Sequence, residues 1–202
     1  MARRSDHTRG ELKQEILNAS WKIVRKEGFE ALTARRIATE IGYAPGTIYN
    51  IFKDMHALTL ALNAITLDKL HKTLSSKECN NPRKKPLQNM KSMATLYRDF
   101  AKKNRQHWLM LFTYILPENK TPPAEYQEKI ARVFEPLEEL LIPYFTPNQS
   151  RKRKMAARVL WASVHGLYFL EETGKIPLIT NQKPSPDMSG YLIETFIKGL
   201  QK

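Results

Sequence analysis

Apolar residues recur at helical spacing along the whole chain. Leu12, Ile16, Ala19 and Ile23 stand four, three and four positions apart, the stripe of a helix with one buried face. They predict a helix from about Glu11 to Glu27, ended by Gly28. Leu58, Leu62, Ile65 and Leu70 predict another over about Met55 to Ser75. Between them lie two shorter periodic pieces, Thr33 to Ile41 and Pro45 to Phe52. Ser75 to Leu87 holds two prolines, two asparagines and four basic residues, the composition of a connection. Helical spacing resumes with Met90, Met93, Ala94, Tyr97 and Phe100, up to about Lys103. Trp108 to Leu116 is almost wholly apolar and is expected to form a short buried helix. Ala124 to about Ile142 is amphipathic, with Pro136 expected to kink or split it. Arg151 to about Thr173 and Tyr191 to Leu200 complete the helices, separated by a Pro-rich loop from Ile176 to Asp187. No strand pair and no repeat is visible. The fold class is all-α, with an N-terminal three-helix helix-turn-helix domain over 9–70 and a C-terminal helical bundle over 76–202.

The two short helices carry most of the local chemistry. Thr33 is a hydroxyl cap before Ile37, Ala38 and Ile41. Gly42 follows, where a helix ends in the left-handed region that glycine reaches most cheaply. Pro45 suits the first position of the next helix, because its missing N–H had no partner there. With Ala44 as N-cap, Tyr43 and Ile48 stand where a hydrophobic staple closes. Ile48 and Phe52 then face inward, and Gly46, Thr47, Asn50 and Lys53 face out, as in the second helix of a helix-turn-helix. Three features here carry a local cost. Arg35 and Arg36 sit in a helical first turn, against the macrodipole. Ala44 offers no oxygen to the first amides of the second helix. Gly46 costs about 1 kcal/mol against alanine in a helix but allows close backbone approach. Phosphate binding accounts for all three; an ordinary helical hairpin with solvated arginines is the plainer alternative.

The run from Thr33 through Ile37-Ala38, Gly42, Pro45-Gly46-Thr47-Ile48-Tyr49 to Phe52 and Leu58 resembles the DNA-binding domain of the TetR family of bacterial transcriptional regulators. The resemblance extends over roughly Arg9 to Leu70. It implies phosphate contacts from Thr33 and Tyr49. It makes Arg35, Arg36, Ala44, Gly46, Thr47, Asn50 and Lys53 the remaining DNA-facing positions. Two residues depart from the family pattern: Ala44 stands where Ser or Glu is frequent, and Met55 where a phosphate-binding Lys is usual, a contact Lys53 would take over.

Composition agrees with a polyanionic partner. The chain of 202 residues carries 33 Lys and Arg against 20 Asp and Glu, a formal charge of +13, and its pI is near 9.8. Part of the surplus forms an N-terminal arm (Arg3, Arg4, Arg9), placed to reach a flanking minor groove or to remain solvated. The tetrad Arg151 to Lys154 reads as a solvated helix end rather than a second nucleic-acid patch. The single cysteine, Cys79, excludes an intrachain disulfide and a cysteine-only zinc site, and its polar neighbours predict a surface thiol. The N-terminus lacks the apolar core of a secretory signal, and no apolar run nears the ~20 residues of a membrane span. The expected location is the bacterial cytoplasm, on the nucleoid.

The second domain suggests a ligand site and a dimer surface. Trp161, His165 and Tyr168 share a helix face, with Gly166 mid-helix. This Trp-x-x-x-His-Gly run resembles a TetR subfamily named for its Trp-His-Gly motif. With Tyr97, Phe100, Trp108, Phe112 and Phe134 these aromatics are either core or the lining of a pocket for a small, largely apolar or aromatic effector. The family pairs its last two helices between subunits, which implies a homodimer surface of Leu160, Val164, Leu167, Phe196, Ile197 and Leu200. No metal-spaced cluster, phosphate loop or paired nucleophile appears, so no cofactor, metal or enzymatic activity is expected. The function expected is a repressor released from a palindromic operator by a small molecule. The alternative is a DNA-binding protein of cell division or chromosome organisation without an inducer.

Overall fold

The first helix begins at a capping box. Thr8 Oγ1 accepts from the Glu11 N–H (3.3 Å), and the Glu11 carboxylate accepts from the Thr8 N–H (2.7 Å). Two orphan donors are thereby satisfied, and α1 (Arg9–Glu27) starts two residues before its apolar stripe requires. The computed structural model of the protein describes residues 8–118, 120–180 and 187–200, so residues 1–7 of the basic arm lie outside the described residues. A 3-10 turn (Phe29–Ala31) leads to α2 (Ala34–Ile41), α3 (Pro45–Ile51) and α4 (Met55–Leu74). Further on come α5 (Pro86–Lys103), α6 (Arg105–Thr113), α7 (Ala124–Leu140), α8 (Ser150–Glu172), α9 (Ile176–Thr180) and α10 (Asp187–Leu200). Among the described residues there is no strand.

The chain forms two compact units: Met1–Asp68 with Asn104–Gln127, and Lys69–Lys103 with Glu128–Lys202. The division does not follow the 76–202 boundary expected from composition, because α6 packs into the first unit. Met110 of α6 is buried in one core with Ile16, Ile23, Ile37, Ile48, Phe52, Leu58 and Leu62. His107 stacks on Trp21 with ring centroids 3.6 Å apart, and its Nε2 donates to the Trp21 carbonyl at 3.2 Å. Trp108, fully buried, meets Phe112 edge-on. The segment after α6 stays with this unit. Tyr114 Oη lies 2.6 Å from His56 Nδ1, and Lys120 Nζ donates to Asp54 Oδ2 at 2.5 Å. Asp54 also caps α4, accepting from the Ala57 N–H at 2.7 Å. The helix expected to reach Leu116 stops at Thr113 and leaves Ile115 85% exposed. Pro117 follows within four residues and disfavours helix before it.

In the second unit α10 packs on α5 and α8. Arg98 of α5 forks onto Glu171 of α8, which also accepts from Lys102 at 3.0 Å. Those cations hold the Glu171 carboxyl below its ordinary range against the opposing effect of burial, which is the largest single influence on it. α7 runs through Pro136 without being split. The region expected as a Pro-rich loop holds the short helix α9. Cys79 is not the surface thiol its polar neighbours predict. It is buried, its Sγ donates to the Thr73 carbonyl at 3.8 Å, and burial pushes its pKa up.

α4 itself has one regular feature. Thr59, Thr66 and Thr73, seven apart, each donate a side-chain bond to the carbonyl four residues back: Met55 (2.8 Å), Leu62 (3.2 Å) and Lys69 (3.0 Å).

Candidate nucleic-acid interface and ligand cavity

Local signals at α2 and α3 act where the sequence places them. Thr33 Oγ1 accepts from the Arg36 N–H at 3.1 Å. That bond uses the oxygen as acceptor and leaves its hydroxyl proton available. Gly42 ends α2 at φ 74°, ψ 29°, and Ala44 caps α3 without a side-chain bond, ahead of Pro45. Ile48 and Phe52 are buried in the head core. The opposite face presents Gly46, Tyr49 (52% exposed), Asn50 and Lys53 to solvent, with Thr47 half-buried and Arg35 exposed beside them. A Cβ on Gly46 would meet nothing within 4 Å, so packing inside the chain does not require glycine there.

Arg36 is the exception in this set. It is forked between Glu27 (2.8 Å) and Glu40 (2.9 Å), and those hydrogen bonds push its pKa up from the ordinary arginine value. Its charge is matched within the head by carboxylates of α1 and α2. Glu40, four residues on, was a readable partner; Glu27, on another helix, was not.

Two basic residues that helical periodicity does not single out stand beside α3. Arg9 Nη2 donates to the Asn50 carbonyl at 3.5 Å, and Lys13 Nζ lies 5.8 Å from the Phe52 ring centroid. They are four apart on α1, a spacing that puts them on one face. Together they extend the basic surface from α3 onto α1.

The second unit contains an apolar cavity of about 40 Å³. Leu74 of α4 touches it, with Met90, Met93, Ala94 and Tyr97 of α5 and Val133, Phe134 and Leu137 of α7. Leu160, Trp161 and Val164 of α8 and Ile193 of α10 complete its lining. Of the aromatics expected as a pocket, Tyr97, Phe134 and Trp161 are on this wall. His165 stands behind it, its Nδ1 2.7 Å from Tyr97 Oη and its ring stacked on Trp161. Burial holds the His165 pKa below the ordinary histidine value. Phe100 and Tyr168 are buried without lining the cavity. Trp108 and Phe112 belong to the other compact unit, because α6 joins the head.

The expected dimer surface also changes. Leu160 (2% exposed), Val164 and Ile197 (4%) face the interior of their own unit, and the first two line the cavity. Leu167, Phe196 and Leu200 are half-buried. The apolar stripe α8 leaves outside is Met155 (60%) and Val159 (48%), continued by exposed Ala162 and half-buried Gly166. Two apolar stripes share this helix, and periodicity alone does not say which one is interior. A Cβ on Gly166 would meet nothing within 4 Å. Among the described residues no group of three or more His, Cys, Asp or Glu is placed to hold a metal, and no helix is long and apolar enough to cross a membrane.

Comparison with known proteins gives two family matches. Residues 16–62 match the model described as bacterial regulatory proteins, tetR family, and residues 90–189 match the tetracyclin repressor-like C-terminal domain. Neither description is that of the Trp-His-Gly subfamily. YerO of Bacillus subtilis (strain 168), an uncharacterized HTH-type transcriptional regulator, is 30% identical over 114 residues. That match spans 54% of this chain and 38% of YerO. A protein of unknown function from Rhodococcus sp. RHA1 superposes with a TM-score of 0.74 at 18% identity over 100% of both chains. The multidrug binding protein EbrR, complexed with imidazole, does so at 0.63 and 17% identity over 97% of each. With one family match on the head and another on the helices around the cavity, the chain belongs to the TetR family of bacterial transcriptional regulators.

Proposed function

We propose that the protein is a homodimeric, sequence-specific DNA-binding repressor that leaves a palindromic operator when a small molecule occupies the cavity of its second unit. The observation that carries the DNA reading is the division of α3: Ile48 and Phe52 buried, Tyr49, Asn50, Gly46 and Lys53 exposed. Thr33 and Tyr49 hold phosphates. Arg35, Thr47, Asn50 and Lys53 reach base edges and nearby phosphates, and Arg9 and Lys13 widen the phosphate contact. As a regulator of this family the chain is not an enzyme.

The subunits pair through the exposed stripe of Met155, Val159, Ala162 and Gly166 in place of the interior Leu160, Val164 and Ile197. Two α3 helices then enter successive major grooves about 34–36 Å apart. α4 runs unbroken from Leu58 in the head core to Leu74 on the cavity wall. A filled cavity biases the dimer toward a spacing that no longer fits the operator; a coupling of about 1–3 kcal/mol shifts affinity about 5–150-fold. The effector is a small, largely apolar or aromatic compound. EbrR, described as a multidrug binding protein, shares the fold.

Chromatin pulldown of the intact protein tests the reading. A few sites at promoters, each an inverted repeat, are expected, and many evenly spread sites would favour chromosome organisation instead. Binding to an isolated site should weaken steeply as salt rises, since several phosphates are neutralised per half-site. A flat salt response would contradict the DNA reading.

A further inference from the structure

The corner between α3 and α4 is more basic than the residues of α3 alone suggest. Three successive positions there each have a lysine. Lys13 of α1 lies over the Phe52 ring, 5.8 Å from its centroid. Lys53 is itself exposed. Lys120, from the segment after α6, donates from Nζ to Asp54 Oδ2 at 2.5 Å. Just before them Arg9 donates to the Asn50 carbonyl. The cations thus follow the chain from Asn50 to Asp54, and the last of them arrives from 66 positions away.

Asp54 acts in two ways at this corner. Its Oδ1 accepts from the Ala57 N–H at 2.7 Å and caps α4, while its Oδ2 meets Lys120. Those bonds, that of Lys120 first, hold its carboxyl below the ordinary range, so it is ionised at neutral pH. A carboxylate next in sequence to Lys53 lies inside the ~8–10 Å over which charges act in physiological salt, and it would repel a DNA phosphate held by that lysine. Lys120 cancels the charge. Its ammonium has three N–H donors, and the pair with Asp54 takes one. The Lys120 side chain is 43% exposed against 33% for Asp54, so the cation is the more open member of the pair.

The lysine is also held in place. Its own N–H bonds the Pro117 carbonyl at 2.9 Å. Earlier in the same segment, Tyr114 bonds His56 Nδ1 at 2.6 Å and meets Phe29 edge-on. A cation fixed in this way loses less freedom on meeting a phosphate than one on an unanchored chain.

Resting on the DNA reading above, we propose that Lys120 belongs to the DNA interface: its ammonium, fixed at the α3–α4 corner by Asp54, contacts a backbone phosphate beside the one Lys53 reaches. The contact adds affinity for every sequence alike and carries no base preference.

Fluorescence anisotropy of the intact protein on a labelled mixed-sequence duplex of about 30 base pairs, between about 50 and about 200 mM salt, tests this without knowledge of the operator. Lys120→Gln should bind at least about fivefold more weakly at the lower salt, with a log–log salt slope shallower by about 0.9 for each subunit engaged. Lys120→Arg keeps the charge and should stay within about twofold of the native protein. Asp54→Asn keeps a capping oxygen but removes the carboxylate, so it should bind as tightly as the native protein or more tightly. Unchanged affinity and slope in Lys120→Gln overturns the proposal and leaves DNA binding standing. A loss in Asp54→Asn as large as that in Lys120→Gln also overturns it, because the ion pair is then only a brace for the fold. An equal loss in Lys77→Gln, an exposed lysine on the turn after α4, overturns it as well by reducing the effect to net charge. Native protein that fails to bind, or binds without regard to salt, overturns the DNA reading and the proposal with it. If Lys120→Gln fails to fold by circular dichroism, Asp54→Asn decides alone, and weaker binding by that variant overturns the proposal.

Discussion

Replacing Met110 by alanine should loosen the DNA-reading head, although the residue lies almost sixty positions beyond α3. Met110 is buried in one core with Ile16, Ile48, Phe52 and Leu58. Truncating a buried methionine to alanine costs about 2–5 kcal/mol, part from lost transfer and part from the cavity left behind. A domain is stable by only about 5–15 kcal/mol, so the loss is a large fraction of what holds α1 to α4 together. At the low end it raises the open population of the head about 30-fold. Hydrogen exchange read by mass spectrometry on the intact protein measures this directly. Peptides from α1, α2 and α6 should lose protection together and by a similar factor, with weakened operator binding. Unchanged exchange in α1 and α2 alongside faster exchange confined to α6 would refute the assignment of α6 to the head.

Gly46→Ala should raise thermal stability by up to about 1 kcal/mol, since no atom of the chain crowds a Cβ there, yet weaken operator binding in a band-shift titration; unchanged binding would remove close backbone approach as the reason for glycine. Asn50→Ala should relax preference at one base step by about 1–3 kcal/mol, measured across single-base operator variants, whereas Tyr49→Phe should weaken all variants alike. His165 binds its proton more weakly folded than unfolded, so its contribution to stability is present above the ordinary histidine range and is lost as pH falls through that range toward the lowered folded value. Thermal melts from about pH 8 to about pH 5 should therefore fall more steeply for the native protein than for His165→Asn, and equal slopes would contradict this.

The helix-turn-helix was legible because its determinants are local. Thr33, Gly42 and Pro45 each act within a turn of their own position, and the cap bond, the positive φ and the proline at the first helical position all stand where the sequence implies. The side to which α6 belongs was not legible. Its apolar residues require burial, but nothing in their spacing says whether α1 or the second bundle supplies the other surface. Helix α8 poses the same difficulty within one element, where Leu160 and Val164 face inward and Met155 and Val159 outward. Cys79 was misread because its neighbours in sequence are polar, while its burial is decided by how the 75–85 turn folds back on the end of α4. The pairing of Arg36 was not legible because Glu27 reaches it from another helix.

The threonines at 59, 66 and 73 give α4 a mechanical character. Each hydroxyl adds a second donor to a carbonyl of the helix ladder, and such back-bonding slightly destabilises and bends a helix. Seven-residue spacing brings all three sites to nearly the same side of the rod, so their small bends add in one plane instead of cancelling. α4 is accordingly biased to bend in one direction. Converting the three residues to valine would remove that bias with little change in side-chain volume.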